Sequence, residues 1–204
     1  METQRQIDAY DSAIAYLDEQ LGELFNRLNE NSLYDNTLII IVSDHGEAFG
    51  EHGLYGHQNS LYRETLHVPL FIRYPAKIRA GTFIEVPVSL RDLTISIASL
   101  SDLKGQEKFP GHNITINPNT KSPILAELFQ DTSHPPNHPV AHSNLFSLYT
   151  EKWYAIFMGG SIELFKSDDL YDHINQVNSQ QGQNAIEALK KEMNRLLIGY
   201  LSMQ

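Results

Sequence analysis

The stretch Asn36-Thr37-Leu38-Ile39-Ile40-Ile41-Val42-Ser43-Asp44-His45-Gly46-Glu47 sets the reading of the whole chain. Leu38 to Val42 is wholly apolar and β-branched at every position but the first, a pattern that suits a strand covered on both faces. The sequence turns polar and glycine-rich as soon as the apolar run ends. In open α/β sheets ligands bind outside the carboxyl ends of strands, so position and composition together make this loop a candidate site. Asp44 offers a hard carboxylate oxygen and His45 an imidazole nitrogen, two donor types that suit a divalent cation. Gly46, Gly50, Gly53 and Gly56 put four glycines within eleven positions and let the backbone approach a bound group closely. Taken singly, an Asp-His pair after a strand also suits a helix cap or a turn. In the same way His52 and His57 suit a surface loop, and Glu47 and Glu51 suit solvated charges.

Working outward, Ile7, Tyr10, Ile14, Leu17, Leu21, Leu24, Phe25 and Leu28 recur at three- and four-residue steps, which predicts an amphipathic helix over 7–28. Helix followed by buried strand points to an α/β layer built on a parallel sheet. Downstream, a helix is expected from near Ser60, a strand over 68–74 and a helix over 89–100. A proline-rich segment over 106–142 reads as a connector with one short helix over 124–129, on which Glu127 faces solvent. Aromatic and β-branched runs over 143–157 and 161–166, broken by Gly159-Gly160, predict a hairpin. The periodicity of Ile186, Leu189, Met193, Leu196, Leu197 and Tyr200 predicts a closing helix from about Asn184. The expected organisation is therefore residues 1–105 as part of an α/β domain, 106–142 as connector and 143–204 as an α+β subdomain with an antiparallel sheet.

Bulk composition narrows the function classes. Among 204 residues, 15 basic side chains stand against 25 acidic ones for a net charge of −10, which opposes a nucleic-acid partner. Cysteine is absent, excluding thiolate ligands and cysteine nucleophiles within the chain. The apolar pentad falls far short of the roughly 20 residues that span a bilayer, and the polar N-terminus has no signal-peptide pattern, so the site of action is left unknown. His134, His138 and His142 lie at four-residue steps in the connector and receive no metal assignment.

Considered as a whole, Asn36 to Glu47, Gly50-Glu51-His52-Gly53, Gly56-His57-Gln58-Asn59-Ser60-Leu61-Tyr62-Arg63-Glu64 and Val68-Pro69-Leu70 closely resemble the sulfatase family of the alkaline phosphatase superfamily. Val88-Ser89-Leu90-Arg91-Asp92-Leu93, Phe109-Pro110-Gly111 and Leu170-Tyr171-Asp172 extend the resemblance over most of the chain. It implies the C-terminal part of an alkaline-phosphatase-like α/β/α sandwich followed by a small subdomain. It also implies that Asp44 and His45 are two ligands of a divalent cation, Ca2+ first and Mn2+ or Mg2+ next. His57 falls twelve residues beyond His45, where many members carry a lysine that contacts the sulfate and helps the leaving group. A histidine can take that role when protonated, or act as general acid, with a charge that varies across physiological pH.

The family's nucleophile is a formylglycine made from Cys-x-Pro-x-Arg, and neither that motif nor a serine version occurs here. The resemblance thus implies a portion of an enzyme acting on a small-molecule or carbohydrate sulfate ester, inactive without an N-terminal half. Two other readings stand beside it: a phosphodiesterase or phosphonate monoester hydrolase of the same superfamily, and a noncatalytic remnant or interaction module.

Overall fold

Helix α1 runs over Glu2–Glu30, wider at both ends than its apolar spacing predicts. The computed structural model describes residues 2–105, 108–116 and 121–201. Gln106 and Glu107 at the start of the expected connector, and the side chain of Tyr200, lie outside the described residues. The chain divides into two units, one of Met1–Asp44, Ala48–Tyr55 and Val68–Pro118, the other of His45–Glu47, Gly56–His67 and Asn119–Gln204.

After α1 and a 3-10 turn comes β1, Ile39–Val42, followed along the chain by the short strands β2, Ala48–Phe49, and β3, Tyr55–Gly56, by helix α2, Arg63–Leu66, and by β4, Leu70–Arg73; β1 and β4 pair antiparallel in the register Ile39↔Arg73 to Val42↔Leu70. The expected parallel arrangement is therefore corrected for this pair, and β1 is half-buried with Val42 exposed rather than covered on both faces. Arg73 fixes the start of β1. Its guanidinium lies 3.6 Å from the Tyr34 ring centroid and donates to Tyr34 O and Asp35 Oδ1, each at 2.6 Å. Along α1, Tyr10, Ile14, Leu17 and Leu24 remain exposed despite their helical spacing.

Helix α3, Asp92–Leu100, starts three residues later than expected because Asp92 turns its carboxylate back onto the chain. Oδ2 accepts from Ser89 N at 3.2 Å and Oδ1 from His112 N at 2.8 Å. The Phe109-Pro110-Gly111 turn is thus held on the helix start. Gly111 has φ +105, and a Cβ there would stand 2.8 Å from Asp92 Oδ1. Ser96, fully buried, accepts from Ile114 N at 3.1 Å and extends the same anchor by one turn.

The second unit is built on an antiparallel sheet in the order β5-β6-β7-β8, over Ile124–Leu128, Leu145–Tyr149, Trp153–Met158 and Ser161–Lys166. β5 replaces the short helix expected over 124–129. Leu, Ala and Glu favour helix, but each residue from Ile124 to Leu128 finds a partner on β6, and tertiary pairing overrides the local preference. Glu127 is exposed, on a strand rather than a helix.

The expected hairpin is present: Met158 opposes Ser161, and Gly159 and Gly160 take φ +54 and +111, the positive values a two-residue type I′ turn requires. Leu148, Ala155, Phe157 and Leu164 form the core with Leu189 of α4, Gln180–Leu201. Ile186, Met193 and Leu196 of α4 pack around that core on the face their periodicity indicates, and the helix begins four residues before Asn184.

Candidate functional site

The helix expected from Ser60 shrinks to α2, Arg63–Leu66, because the residues just before it are buried outside regular structure and Tyr62 is extended. Asn59, Ser60, Leu61 and Tyr62 are all buried, and the segment is stitched to the C-terminal sheet by polar contacts. Val140 N donates to Asn59 O at 3.2 Å, and the Tyr154 hydroxyl donates to Leu61 O. Tyr62 donates its hydroxyl to Glu163 Oε2 at 2.8 Å. Burial first, and then that bond to Glu163, push the Tyr62 phenol far above its ordinary range. Burial does the same to Tyr154.

Arg63 is the centre of this attachment. Its Nε lies 3.0 Å from Asp172 Oδ1, its backbone N donates to Asp172 Oδ2 at 3.0 Å, and its two terminal nitrogens donate to Ser167 O at 3.0 Å and Lys166 O at 3.1 Å. The guanidinium lies 5.4 Å and 5.0 Å from the Tyr149 and Tyr154 ring centroids. Both members of the pair are buried. Arg63 and Asp172 stand in the family-like stretches of the sequence, but nothing local distinguishes them from solvated charges.

This anchored segment carries His57. The rings of His45 and His57 stack, with centroids 4.1 Å apart and planes at 23°. His57 Nδ1 lies 2.7 Å from Glu47 Oε2, and His45 Nδ1 lies 2.9 Å from Gly46 O. A carbonyl only accepts, so His45 Nδ1 carries a hydrogen, the arrangement that an imidazole braced by the backbone adopts. An ionised carboxylate imposes the same choice on His57.

Gly46 makes this closeness possible. Its N donates to Thr65 O at 2.9 Å, and a Cβ there would fall 2.0 Å from Glu64 O. The metal-binding atoms of His45, Glu47 and His57 all lie within 4.8 Å of one another, which brings together two predicted site residues and one, Glu47, that had read as a solvated charge. Asp44, exposed at the end of the β1 segment, is not one of these three. His52 sits at φ +52 in an exposed 3-10 turn over Glu51–Gly53.

Mixed strands and helices with antiparallel sheets, and a loop of imidazoles and carboxylates after a strand, define an α/β chain with a polar candidate site at a strand end. A family model described as Sulfatase matches residues 1–103, and the chain belongs to the sulfatase family. It is 28% identical over 194 residues to an uncharacterized sulfatase, YidJ, of Escherichia coli, covering 91% of this chain and 36% of that protein. A solved structure of a protein in complex with its substrate D-glucosamine-2-N,6-O-disulfate superposes with a TM-score of 0.75 at 20% identity, covering 93% of this chain and 40% of the other. A phosphonate monoester hydrolase from Silicibacter pomeroyi gives a TM-score of 0.69 at 19% identity, covering 92% and 39%. The chain therefore spans little more than a third of the length of that curated relative. Among the described residues no helix is long and apolar enough to cross a membrane.

Proposed function

We propose that this chain is the C-terminal portion of a sulfate ester hydrolase that works with a divalent cation and acts on sulfated carbohydrate or a similar small sulfate ester. Membership of the sulfatase family is the observation that carries the reaction class. Similarity to a protein bound to a disulfated glucosamine supports a carbohydrate substrate.

Asp44 and His45 are the residues of this chain that would hold the cation. The donor chemistry fits a divalent cation: one carboxylate, and one imidazole whose Nδ1 is tied to Gly46 O, the kind of brace a ligating ring carries. Calcium takes six to eight oxygen ligands, so two side chains supply a minority of its shell and the remainder comes from elsewhere. When bound, such an ion neutralises charge building on the ester oxygens. His57 contacts the anionic group in its protonated form and returns a proton to the departing alcohol, with Glu47 holding its ring in place. No cysteine is available to become the nucleophile, which on this reading lies outside these residues.

The test is aryl sulfate hydrolysis by the purified chain, alone and co-expressed with an N-terminal half from a sulfatase. Turnover only in the co-expressed form is expected. Turnover by the chain alone refutes the dependence on a second half, and a preference for phosphonate monoesters moves the reading to that branch of the superfamily.

A further inference from the structure

We propose that a groove between the 137–143 loop, Tyr62 and the tip of the β7–β8 hairpin binds an unsulfated sugar ring. Its volume is about 480 Å3, within the ~300–1,000 Å3 range of small-molecule sites. All of its lining residues belong to the C-terminal unit. Pro139 and Met158 supply apolar lining, while Asn137, Ser143 and Glu163 bring an amide, a hydroxyl and a carboxylate. Glu163 Oε2 is taken by the Tyr62 hydroxyl at 2.8 Å; among the described residues, Glu163 Oε1, the Asn137 amide and the Ser143 hydroxyl have no protein partner. Apolar lining beside unspent donors and acceptors matches a pyranose, whose faces are C–H and whose rim is hydroxyl. The groove holds one carboxylate and, among the described residues lining it, no lysine or arginine, so it disfavours a sulfated ring.

The walls are fixed by contacts of their own. Val140 is fully buried and its N donates to Asn59 O at 3.2 Å. Gln130 Nε2 donates to Ala141 O at 3.2 Å, and His142 Nε2 donates to Pro136 O at 2.7 Å. On the opposite side Gly159 takes φ +54, and a Cβ there would stand 2.9 Å from Ser143 Cβ, so a glycine lets the hairpin tip close against the loop. A groove held in this way has little freedom left to lose when a ligand enters. The competing reading of the same geometry is a hydrated crevice with no ligand. The consequence for activity rests on the proposed function: the assembled enzyme favours oligosaccharides that carry an unsulfated ring over a lone sulfated one.

The experiment titrates N-acetylglucosamine and, separately, N-acetylglucosamine 6-sulfate into the isotope-labelled 204-residue chain at about pH 8, above the ordinary imidazole range, and follows amide shifts by NMR. Saturable shifts with the unsulfated sugar are expected at residues 137–143 and 158–163, with the sulfated sugar at least about tenfold weaker at the same amides. Asn137→Ala, at an exposed position that the fold does not depend on, and Glu163→Gln, which keeps an acceptor for the Tyr62 hydroxyl, should each weaken binding at least about fivefold. Absence of saturable shifts at millimolar sugar, shifts confined to the 45–57 loop, equal affinity for the two sugars, or unchanged affinity in both variants overturns the proposal. The titration reads binding alone and needs no turnover, so the sugar groove and the sulfatase reading can fail separately.

Discussion

Replacing Asp172 by asparagine should destabilise the C-terminal unit by about 3 kcal/mol, at the lower end of the range for breaking a buried pair from one side. Asp172 Oδ2 accepts from Arg63 N and Oδ1 faces Arg63 Nε at 3.0 Å. An asparagine can keep one acceptor on the backbone N–H, but its amide then sets donor against donor at Nε, and the guanidinium stays buried without its countercharge. Two carbonyl acceptors and two aromatic rings still surround that guanidinium, which keeps the cost from the upper end. Asparagine is chosen because residue 172 has φ +52, where Asn is tolerated and alanine would add about 1–2 kcal/mol of backbone strain. The assay is urea unfolding followed by fluorescence of Trp153, the single tryptophan, in β7 of the same sheet. With a slope of about 1–3 kcal/mol per molar urea, the midpoint should fall by about 1–3 M. Asp168→Asn, on an exposed neighbour, should stay within about 0.5 kcal/mol of the parent. A loss below about 1 kcal/mol for Asp172→Asn would refute the reasoning, since a pair so cheaply broken is solvated rather than buried.

Other outcomes follow from the same contacts. Folding keeps Tyr62 and Tyr154 protonated above the ordinary phenol range, so above about pH 10 the unfolded chain binds fewer protons than the folded one and stability must fall as pH rises. Alkaline titration at 295 nm should show these two phenols ionising only with unfolding, and Tyr62→Phe should flatten the decline. Gly46→Ala should cost at least about 3 kcal/mol or displace the loop, read by urea midpoint, because its methyl would meet the Glu64 carbonyl at 2.0 Å. Leu17→Glu/Leu24→Glu on the exposed face of α1 should lower self-association in analytical ultracentrifugation without shifting the Trp153 unfolding midpoint.

Local periodicity reported well on elements that local contacts determine. The apolar spacing of α1, the turn glycines between β7 and β8 and the inner face of α4 all appear where their residues indicate. Failures fall where distant partners decide. Ile124 to Leu128 carries helix-forming residues yet becomes a strand because β6 offers a matching edge, and the helix expected at Ser60 is cut short by burial of Asn59 to Tyr62. At the candidate site, residue chemistry after a strand points to Asp44 and His45, the family resemblance adds His57, and the structure stacks the two histidines. Glu47 carries no such signal, because an acid in a glycine-rich loop reads as solvated and only the fold sets its carboxylate against His57. The Arg63–Asp172 pair joins positions 109 residues apart, a relation no window along the chain contains.

That separation bears on the order in which the molecule assembles. β6, β7 and β8 are consecutive neighbours joined by short turns, so their pairing closes only small loops and should be early in folding. Arg63 can reach Asp172 only after that meander exists to present Ser167, Lys166 and the two tyrosine rings. The stacked His45–His57 pair should therefore take shape after the meander, so a chain that misfolds its C-terminal sheet is not expected to bring these two rings together. Pulse-labelling hydrogen exchange should show amides of β6 to β8 protected before those of Arg63 to Thr65, and the reverse order would rule this sequence of events out.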